Sequence, residues 1–241
     1  MIAGVDVFAA DAASLRWAEA AFAASDPLLH GAERRHGGTW APGIDLLPNA
    51  SDGSVSGVPL PARFGVGPWH RAQVSVVWPG YPARDADEGE AAHRFRRVRD
   101  AAHVDGLLPE GPERRRHLRE PHAFILGIAL NPVPDGASPL VVWEGSHLVM
   151  GAAFRNVFEG VTDRSSGDLD VTDIYQSARR EVFETCPRRE VVLAPGAAVR
   201  LHRHLVHGVA PWAGAPCPEG RRIAYFRPLC EGVDDWLSTL E

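Results

Sequence analysis

The sequence has no lysine, few cysteines and no long hydrophobic run. All 25 basic residues of the 241-residue chain are arginine. The absence of lysine excludes reactions that form a Schiff base with a lysine side chain. The three cysteines, Cys186, Cys217 and Cys230, are odd in number and show no C-x-x-C spacing. We therefore expect reduced thiols rather than a disulfide framework or a zinc site.

The distribution of charged and apolar residues predicts the cellular location of the protein and the partners that it lacks. No apolar run approaches the length of a membrane-spanning helix, and Asp6 and Asp11 stand where a signal peptide would carry positive charge. We therefore expect a cytoplasmic protein that does not bind membranes. The formal net charge of −6 gives no reason to expect nucleic acid as a partner. No pattern in the sequence indicates an oligomeric state.

Hydrophobic periodicity predicts a chain of many short strands with a few helices. Alternating or continuous apolar segments predict strands over residues 71–78, 122–130, 139–143, 198–202 and 222–226. Helical spacing predicts helices over residues 11–25 and 171–184, with a short helix between His147 and Gly160. No repeat or linker divides the chain, so we expect one domain over residues 1–241. The fold class is mainly β with flanking helices, and such short strands are typical of a double-sheet jelly roll.

The segment around residue 103 suggests a metal site. His103 and Asp105 form a His-x-Asp pair, and residues two apart on a strand project from the same face. On a strand the pair would direct an imidazole nitrogen and a carboxylate oxygen to one point. A distant histidine, His207, would complete a set of two histidines and one carboxylate. Such a set occupies one face of an octahedral Fe(II) and leaves the other positions open.

Several further segments resemble the phytanoyl-CoA dioxygenase-like family of Fe(II)/2-oxoglutarate-dependent oxygenases. The resemblance covers roughly residues 100 to 227, and its Gly-Ser-His element at 145–147 is more specific than the His-x-Asp pair. The segments that carry it are His-Val-Asp at 103–105, Ile-Ala-Leu at 128–130, Val-Val-Trp-Glu-Gly-Ser-His at 141–147, Pro-Gly at 195–196, His-Gly at 207–208 and Arg-Arg-Ile at 221–223.

The resemblance implies a double-stranded β-helix, a cupin-like jelly roll, with Fe(II) held by His103, Asp105 and His207. It also implies that a basic residue near the end of the barrel binds the distal carboxylate of 2-oxoglutarate. By position this residue is Arg221, 14 residues after His207. A guanidinium binds a carboxylate through two parallel hydrogen bonds. The adjacent Arg222 would point to the other face of the strand.

This sequence departs from the family pattern at two positions shortly after His207. Val209 stands where the family often has a serine, and Trp212 replaces a usual asparagine. We therefore expect Gln73 or Ser75, on the polar face of an early strand, to contribute to binding of the co-substrate.

The activity that the resemblance implies is that of a 2-oxoglutarate-dependent non-haem iron dioxygenase. It would use dioxygen to hydroxylate or otherwise oxidise a small-molecule metabolite, since no carrier-protein or CoA-binding signature is visible. The presence of Asp105 favours oxidation over halogenation. The alternative is a cupin-like metal-binding protein or isomerase that holds a metal without turning over 2-oxoglutarate.

Three further patterns leave alternatives. The spacing of Arg221 and Arg227 matches nucleic-acid demethylases of the alkylation-repair type, but Ile223 and Tyr225 stand where that group has Asn and Thr. The arginine-rich segment 114–119 is interpreted either as an exposed surface loop or as a lid that attracts an anionic substrate. His70, His93, His117 and His122 are expected to be structural or surface residues, and His147 is expected to be structural or to support a metal ligand. His202 and His204 lie close enough to His207 to be alternatives to it, but His207 is the one that precedes Gly208, as in the family pattern.

Overall fold

The computed structural model describes residues 3–161 and 168–238 of the chain. Eleven strands and five α-helices lie in these ranges. The strands are β1 Val5–Phe8, β2 Trp40–Ala41, β3 Gln73–Val77, β4 Leu107–Glu110, β5 Arg115–Leu118, β6 Phe124–Ala129, β7 Leu140–Trp143, β8 Arg188–Val191, β9 Ala198–His202, β10 His207–Val209 and β11 Arg221–Phe226. The helices are α1 Ala12–Leu29, α2 Glu90–Val98, α3 Ser146–Phe158, α4 Thr172–Thr185 and α5 Val233–Leu237.

The strands form two larger sheets and a hairpin. The large sheet has six strands in the order β1-β9-β6-β11-β3-β2, and the small sheet has three in the order β10-β7-β8. The pair β4-β5 is a separate hairpin, and all the pairings are antiparallel. The prediction of a mainly β chain with flanking helices is confirmed. Each predicted strand and helix is present, with bounds shifted by a few residues.

The two sheets pack their apolar faces together. Ile125, Val199 and Ile223 of the large sheet form one buried cluster with Leu140 and Val142 of the small sheet. Because side chains alternate along a strand, the same face of β11 also carries the side chains of residues 221 and 225, while residues 222, 224 and 226 project to the opposite face. The β11 strand therefore contributes to two different cores.

Helices cover the outer faces of both sheets. Asp11 caps α1 by accepting a hydrogen bond from the backbone N–H of Ser14, and Trp17 of this helix packs with Leu126 and Phe226 of the large sheet. On the other side, α3, α4 and α5 pack with the small sheet and with the β4-β5 hairpin. None of the helices in the two described ranges is long and apolar enough to cross a membrane.

The structure corrects two local expectations. His103 and Asp105 lie in a turn rather than on a strand, although His103 forms an isolated antiparallel bridge with His207. The arginine-rich segment is not an irregular loop, because most of it forms strand β5. Residues 94–98, just before the turn that holds His103, belong to helix α2.

The packing of α1 on the large sheet gives a stability prediction. Leu126 is fully buried in that interface, so Leu126→Ala should lower the free energy of unfolding by about 2–5 kcal/mol. Leu148→Ala is the matched control, since Leu148 is 63% exposed and should change stability by less than about 0.5 kcal/mol. Denaturant unfolding followed by circular dichroism measures both, and equal effects would contradict this assignment of the core.

Candidate metal centre and its pocket

His103, Asp105 and His207 converge on one point. The Nε2 atom of His103 lies 3.0 Å from Oδ1 of Asp105, and Nε2 of His207 lies 3.6 Å from the same oxygen. One ligand atom from each residue lies within 4.8 Å of the other two. The side chains of Asp105 and His207 are 12% and 8% exposed, whereas that of His103 is 42% exposed. The cluster is therefore buried on one side and accessible from the other.

Backbone geometry brings these residues together. The N–H of each histidine donates to the carbonyl oxygen of the other, at 2.8 and 3.0 Å. Glycine is needed directly after Asp105 and directly after His207, because a Cβ on Gly106 or on Gly208 would lie 2.1 Å from a backbone carbonyl oxygen. Gly106 also has a φ of +82°, which favours glycine over other residues. The requirement at Gly208 explains the His-Gly pattern at 207–208.

Both histidines are held in the form that a metal ligand requires. Nδ1 of His103 lies 2.9 Å from the carbonyl oxygen of Ala101, and Nδ1 of His207 lies 2.9 Å from that of Leu205. Because a carbonyl oxygen only accepts, each Nδ1 carries the proton. Nε2, which faces Asp105, is then the ring nitrogen left to bind a metal.

Arg227 fixes the carboxylate of the cluster. Its Nε donates to Oδ2 of Asp105 at 2.6 Å, and its Nη1 donates to Oε1 of Gln73 at 2.5 Å. Burial alone would raise the pKa of Asp105, but the Arg227 guanidinium and the two histidines outweigh it and hold this pKa well below its usual value. The carboxylate is therefore ionised, with Oδ1 directed at the histidines.

The cluster lies in a pocket of about 990 Å³. This volume is at the upper end of the usual range for small-molecule sites and is sufficient for two small ligands together. Polar groups at the pocket wall include Gln73, Arg116 and Arg227, and the apolar wall includes Trp40 and Leu107. His70 and His122, which were expected to be structural or surface residues, also line it.

The two residues predicted to bind the co-substrate, Gln73 and Arg221, line different cavities. Gln73 lies in the pocket, where it binds Arg227. Arg221 lines a separate cavity of about 30 Å³, which has room for one or two water molecules. Arg222 points to the opposite face of β11, as predicted, and its Nη1 lies 2.7 Å from Oδ1 of Asp26. The role of Arg221 stays a prediction.

Arg227 was missed by sequence reasoning as part of this site. Knowledge of the strand pairing would have placed Arg227 in the site. In the antiparallel large sheet, the start of β3, the start of β6 and the end of β11 lie next to one another. Gln73, His122 and Arg227 stand at these three strand ends. The pairing depends on contacts between distant segments, which a residue pattern does not show.

Other histidine groups lie outside the pocket wall. His147, His202 and His204 form a buried cluster of rings at α3, in tilted and edge-on contact. Burial together with nearby positive charge lowers the pKa of His202 to about 3. A second group with metal-ligand spacing is His36, Asp85 and Glu88. Its carboxylates already have partners, because Asp85 accepts hydrogen bonds from the backbone N–H groups of His36 and Gly37, and Glu88 pairs with Arg96.

No protein-family model matches the sequence, and no curated protein sequence matches it either. Among solved structures, the chain is similar to the non-haem alpha-ketoglutarate-dependent epimerase SnoN from nogalamycin biosynthesis, with 15% identity, a TM-score of 0.51, and coverage of 94% of this chain and 79% of that one. It is also similar to the carbocyclase SnoK of the same biosynthesis, with 17% identity, a TM-score of 0.49 and coverage of 97% and 85%. At such identity the likeness to SnoN shows the fold alone.

The cluster geometry gives a prediction for metal binding. Asp105→Ala should weaken Co(II) binding at least about 100-fold, since loss of a direct ligand should cost more than the 10- to 100-fold typical of an outer-shell partner. Asp85→Ala is the control, because it removes the aspartate of the second His-carboxylate group. Isothermal titration calorimetry measures both affinities. Undiminished binding by Asp105→Ala with loss in Asp85→Ala would place the metal in the other group.

The Arg227–Asp105 pair gives a second prediction. Arg227→Met should destabilise the metal-free protein by about 3–5 kcal/mol, because it leaves a buried carboxylate without its cation. Adding Asp105→Asn should restore part of this loss, as a double-mutant cycle would show. In the control, Arg189→Met breaks the more exposed pair with Glu144 and should cost no more than about 1 kcal/mol. Equal costs for the two arginines would contradict the anchoring role.

Proposed function

We propose that the protein is an Fe(II)- and 2-oxoglutarate-dependent dioxygenase that oxidises a small molecule. We further propose that residues 1–241 form one domain with a double-stranded β-helix, or jelly-roll, fold. The observation that carries the functional proposal is the convergence of His103, Asp105 and His207 on the wall of a large pocket, with both Nδ1 atoms bound to carbonyl oxygens. The shared fold with SnoN, described as alpha-ketoglutarate dependent, supports it.

The three residues fit Fe(II). Two imidazole nitrogens and one carboxylate oxygen suit this ion and leave coordination positions for a co-substrate and dioxygen. His103, Asp105 and His207 would hold the metal, while Arg227 keeps Asp105 ionised and oriented. Bound Fe(II) would supply activation of dioxygen coupled to decarboxylation of 2-oxoglutarate to succinate. The protein supplies the ligand geometry and the pocket.

Arg221 is our candidate for the distal carboxylate of 2-oxoglutarate. The guanidinium is buried, and its Nε has no hydrogen-bond partner among the described residues. A buried cation without a counter-charge is costly, so an anionic ligand would relieve that cost. Arg221 and Arg227 project from the same face of β11 with Ile223 and Tyr225 between them. At about 3.3 Å per residue, their Cα atoms are about 20 Å apart, so a co-substrate at the metal would reach Arg221 only if the small cavity widened and the Arg221 side chain turned towards the metal.

Gln73 is proposed to assist at the metal end of this path. Its side-chain oxygen accepts from Arg227, which leaves the amide N–H groups to donate to a ligand in the pocket. Ser75, the other residue expected from the sequence, accepts a hydrogen bond from the indole N–H of Trp40. Gln73 is the better placed of the two.

Succinate formation tests the proposed activity. The purified protein should convert 2-oxoglutarate to succinate slowly without a substrate, and only when Fe(II) and dioxygen are both present. Asp105→Ala should abolish this conversion. Metal binding without any succinate, under conditions that include a broad set of small metabolites, would favour the cupin-like binding protein or isomerase.

A further prediction separates the two adjacent arginines. Arg221→Gln should raise the KM for 2-oxoglutarate at least about 30-fold, the lower end of a 2–5 kcal/mol loss on truncating a buried charge pair. Arg222→Gln should leave this KM nearly unchanged, because Arg222 binds Asp26 on the other face. Steady-state succinate release measures both. The reverse ranking would show that the wrong arginine has been assigned.

A further inference from the structure

The arginines of the β4-β5 hairpin differ in their partners. Arg115 binds the carboxylates of Asp170 and Asp173, and Arg119 binds those of Glu110 and Asp168. Ion pairs of this kind largely neutralise the two guanidinium groups. Arg115 and Arg119 therefore attach the hairpin to the neighbouring segment that begins at residue 168.

Arg116 lies on the opposite face of β5 from Arg115, since successive side chains of a strand alternate. Its Nη1 donates to the carbonyl oxygen of Leu107 at 2.7 Å, and its guanidinium lies 5.5 Å from the centre of the Tyr175 ring. Within residues 3–161 and 168–238, no carboxylate forms an ion pair with it. Arg116 is thus a cation with spare donors.

The surroundings of Arg116 are electropositive. Burial lowers the pKa of Arg116, and the neighbouring guanidinium groups of Arg179 and Arg114 lower it further. Arg179 itself donates to the carbonyl oxygen of Ala102, next to the first metal-ligand candidate. A partly desolvated guanidinium in such a setting attracts an oxyanion more strongly than an exposed one.

Arg116 also lies close to the candidate metal centre. It lines the same pocket as His103 and Asp105. It is hydrogen-bonded to Leu107, whose Cα can be no more than about 8 Å from that of Asp105 two residues away. A ligand bound to Arg116 would therefore place neighbouring atoms within reach of the metal.

Exposed apolar side chains gather at the same pocket. The large apolar residues that are more than 40% exposed and line it are Ile44, Val66, Leu108 and Leu229. A cluster of exposed apolar side chains around one concave site is a mark of ligand binding rather than of ordinary surface. The pocket thus offers an apolar wall together with Arg116, which has no carboxylate partner among the described residues. The pocket carboxylates include Asp105, which is bound to Arg227, and Glu120, which lies beside His122.

We propose that the primary substrate is an amphipathic small molecule with an apolar body and a carboxylate or phosphate group, and that Arg116 binds this oxyanion. The proposal rests on the proposed function, because it concerns the substrate of the same site. The apolar body packs against the exposed side chains of the pocket, which leaves its C–H bonds facing His103 and Asp105. Arg116 determines specificity by rejecting uncharged analogues.

Binding of three six-carbon probes tests this proposal without requiring turnover. Hexanoate, hexyl phosphate and hexan-1-ol share an apolar chain and differ in the head group. Calorimetry is carried out on the protein saturated with Co(II) and 2-oxoglutarate, so that the co-substrate site is filled. At least one anion should bind about 10- to 100-fold more tightly than the alcohol, as expected for a charge-assisted hydrogen bond. The preferred anion distinguishes a carboxylate from a phosphate.

Two arginine variants locate the effect. Arg116→Gln should remove the preference for the anion and leave the affinity for hexan-1-ol unchanged, whereas Arg115→Gln, an equal change in charge on the next residue, should keep the preference. The preference of the wild-type protein should also shrink as salt rises. Equal affinity for all three probes in the wild-type protein, or equal loss in both variants, would overturn the proposal. A failure of Co(II) or 2-oxoglutarate to bind would instead count against the proposed function, and the probes would then be measured on the metal-free protein.

Discussion

The hydrogen bond from Arg227 to Asp105 is the interaction on which the candidate site depends. A buried carboxylate is costly without a compensating charge, and this arginine supplies the charge from the end of β11. The large sheet therefore determines where the carboxylate lies. The two backbone hydrogen bonds between His103 and His207 then place both imidazole rings next to Oδ1 of Asp105. A shift in the register of β11 would move the arginine and leave Asp105 without a partner.

Much of the fold follows from local patterns in the sequence. The alternation in β3 and β9, the apolar runs of β6 and β7, and the Asp11 cap of α1 are sufficient to place those elements. The three metal-ligand candidates were also chosen from the sequence, and the structure brings them together. The expected strand at residues 103–105 was wrong because Gly106 makes a tight turn against the Glu120 carbonyl. The pair still converges because the bridge to His207 positions His103 directly.

The contacts that sequence reasoning missed are long-range. Arg227 and Asp105 are separated by 122 residues, and Arg227 and Gln73 by 154. Their proximity follows from the strand order of the large sheet, which residue types do not reveal. A chain without lysine uses arginine in several roles. Arg222 pairs with Asp26 of α1, Arg227 pairs with the candidate ligand Asp105, and Arg221 and Arg116 have no acidic partner within the described ranges. The unpaired arginines are those for which we propose anionic ligands.

The most direct test of the central claim is the visible absorption of the Fe(II)-loaded protein under anaerobic conditions. If His103, Asp105 and His207 hold Fe(II) with open positions, 2-oxoglutarate should chelate the metal through its keto and carboxylate oxygens. A visible charge-transfer band should then appear on adding 2-oxoglutarate, but not on adding succinate, which lacks the keto group. The band should be absent in Asp105→Ala. Bound Fe(II) that gives no band with saturating 2-oxoglutarate would contradict the account.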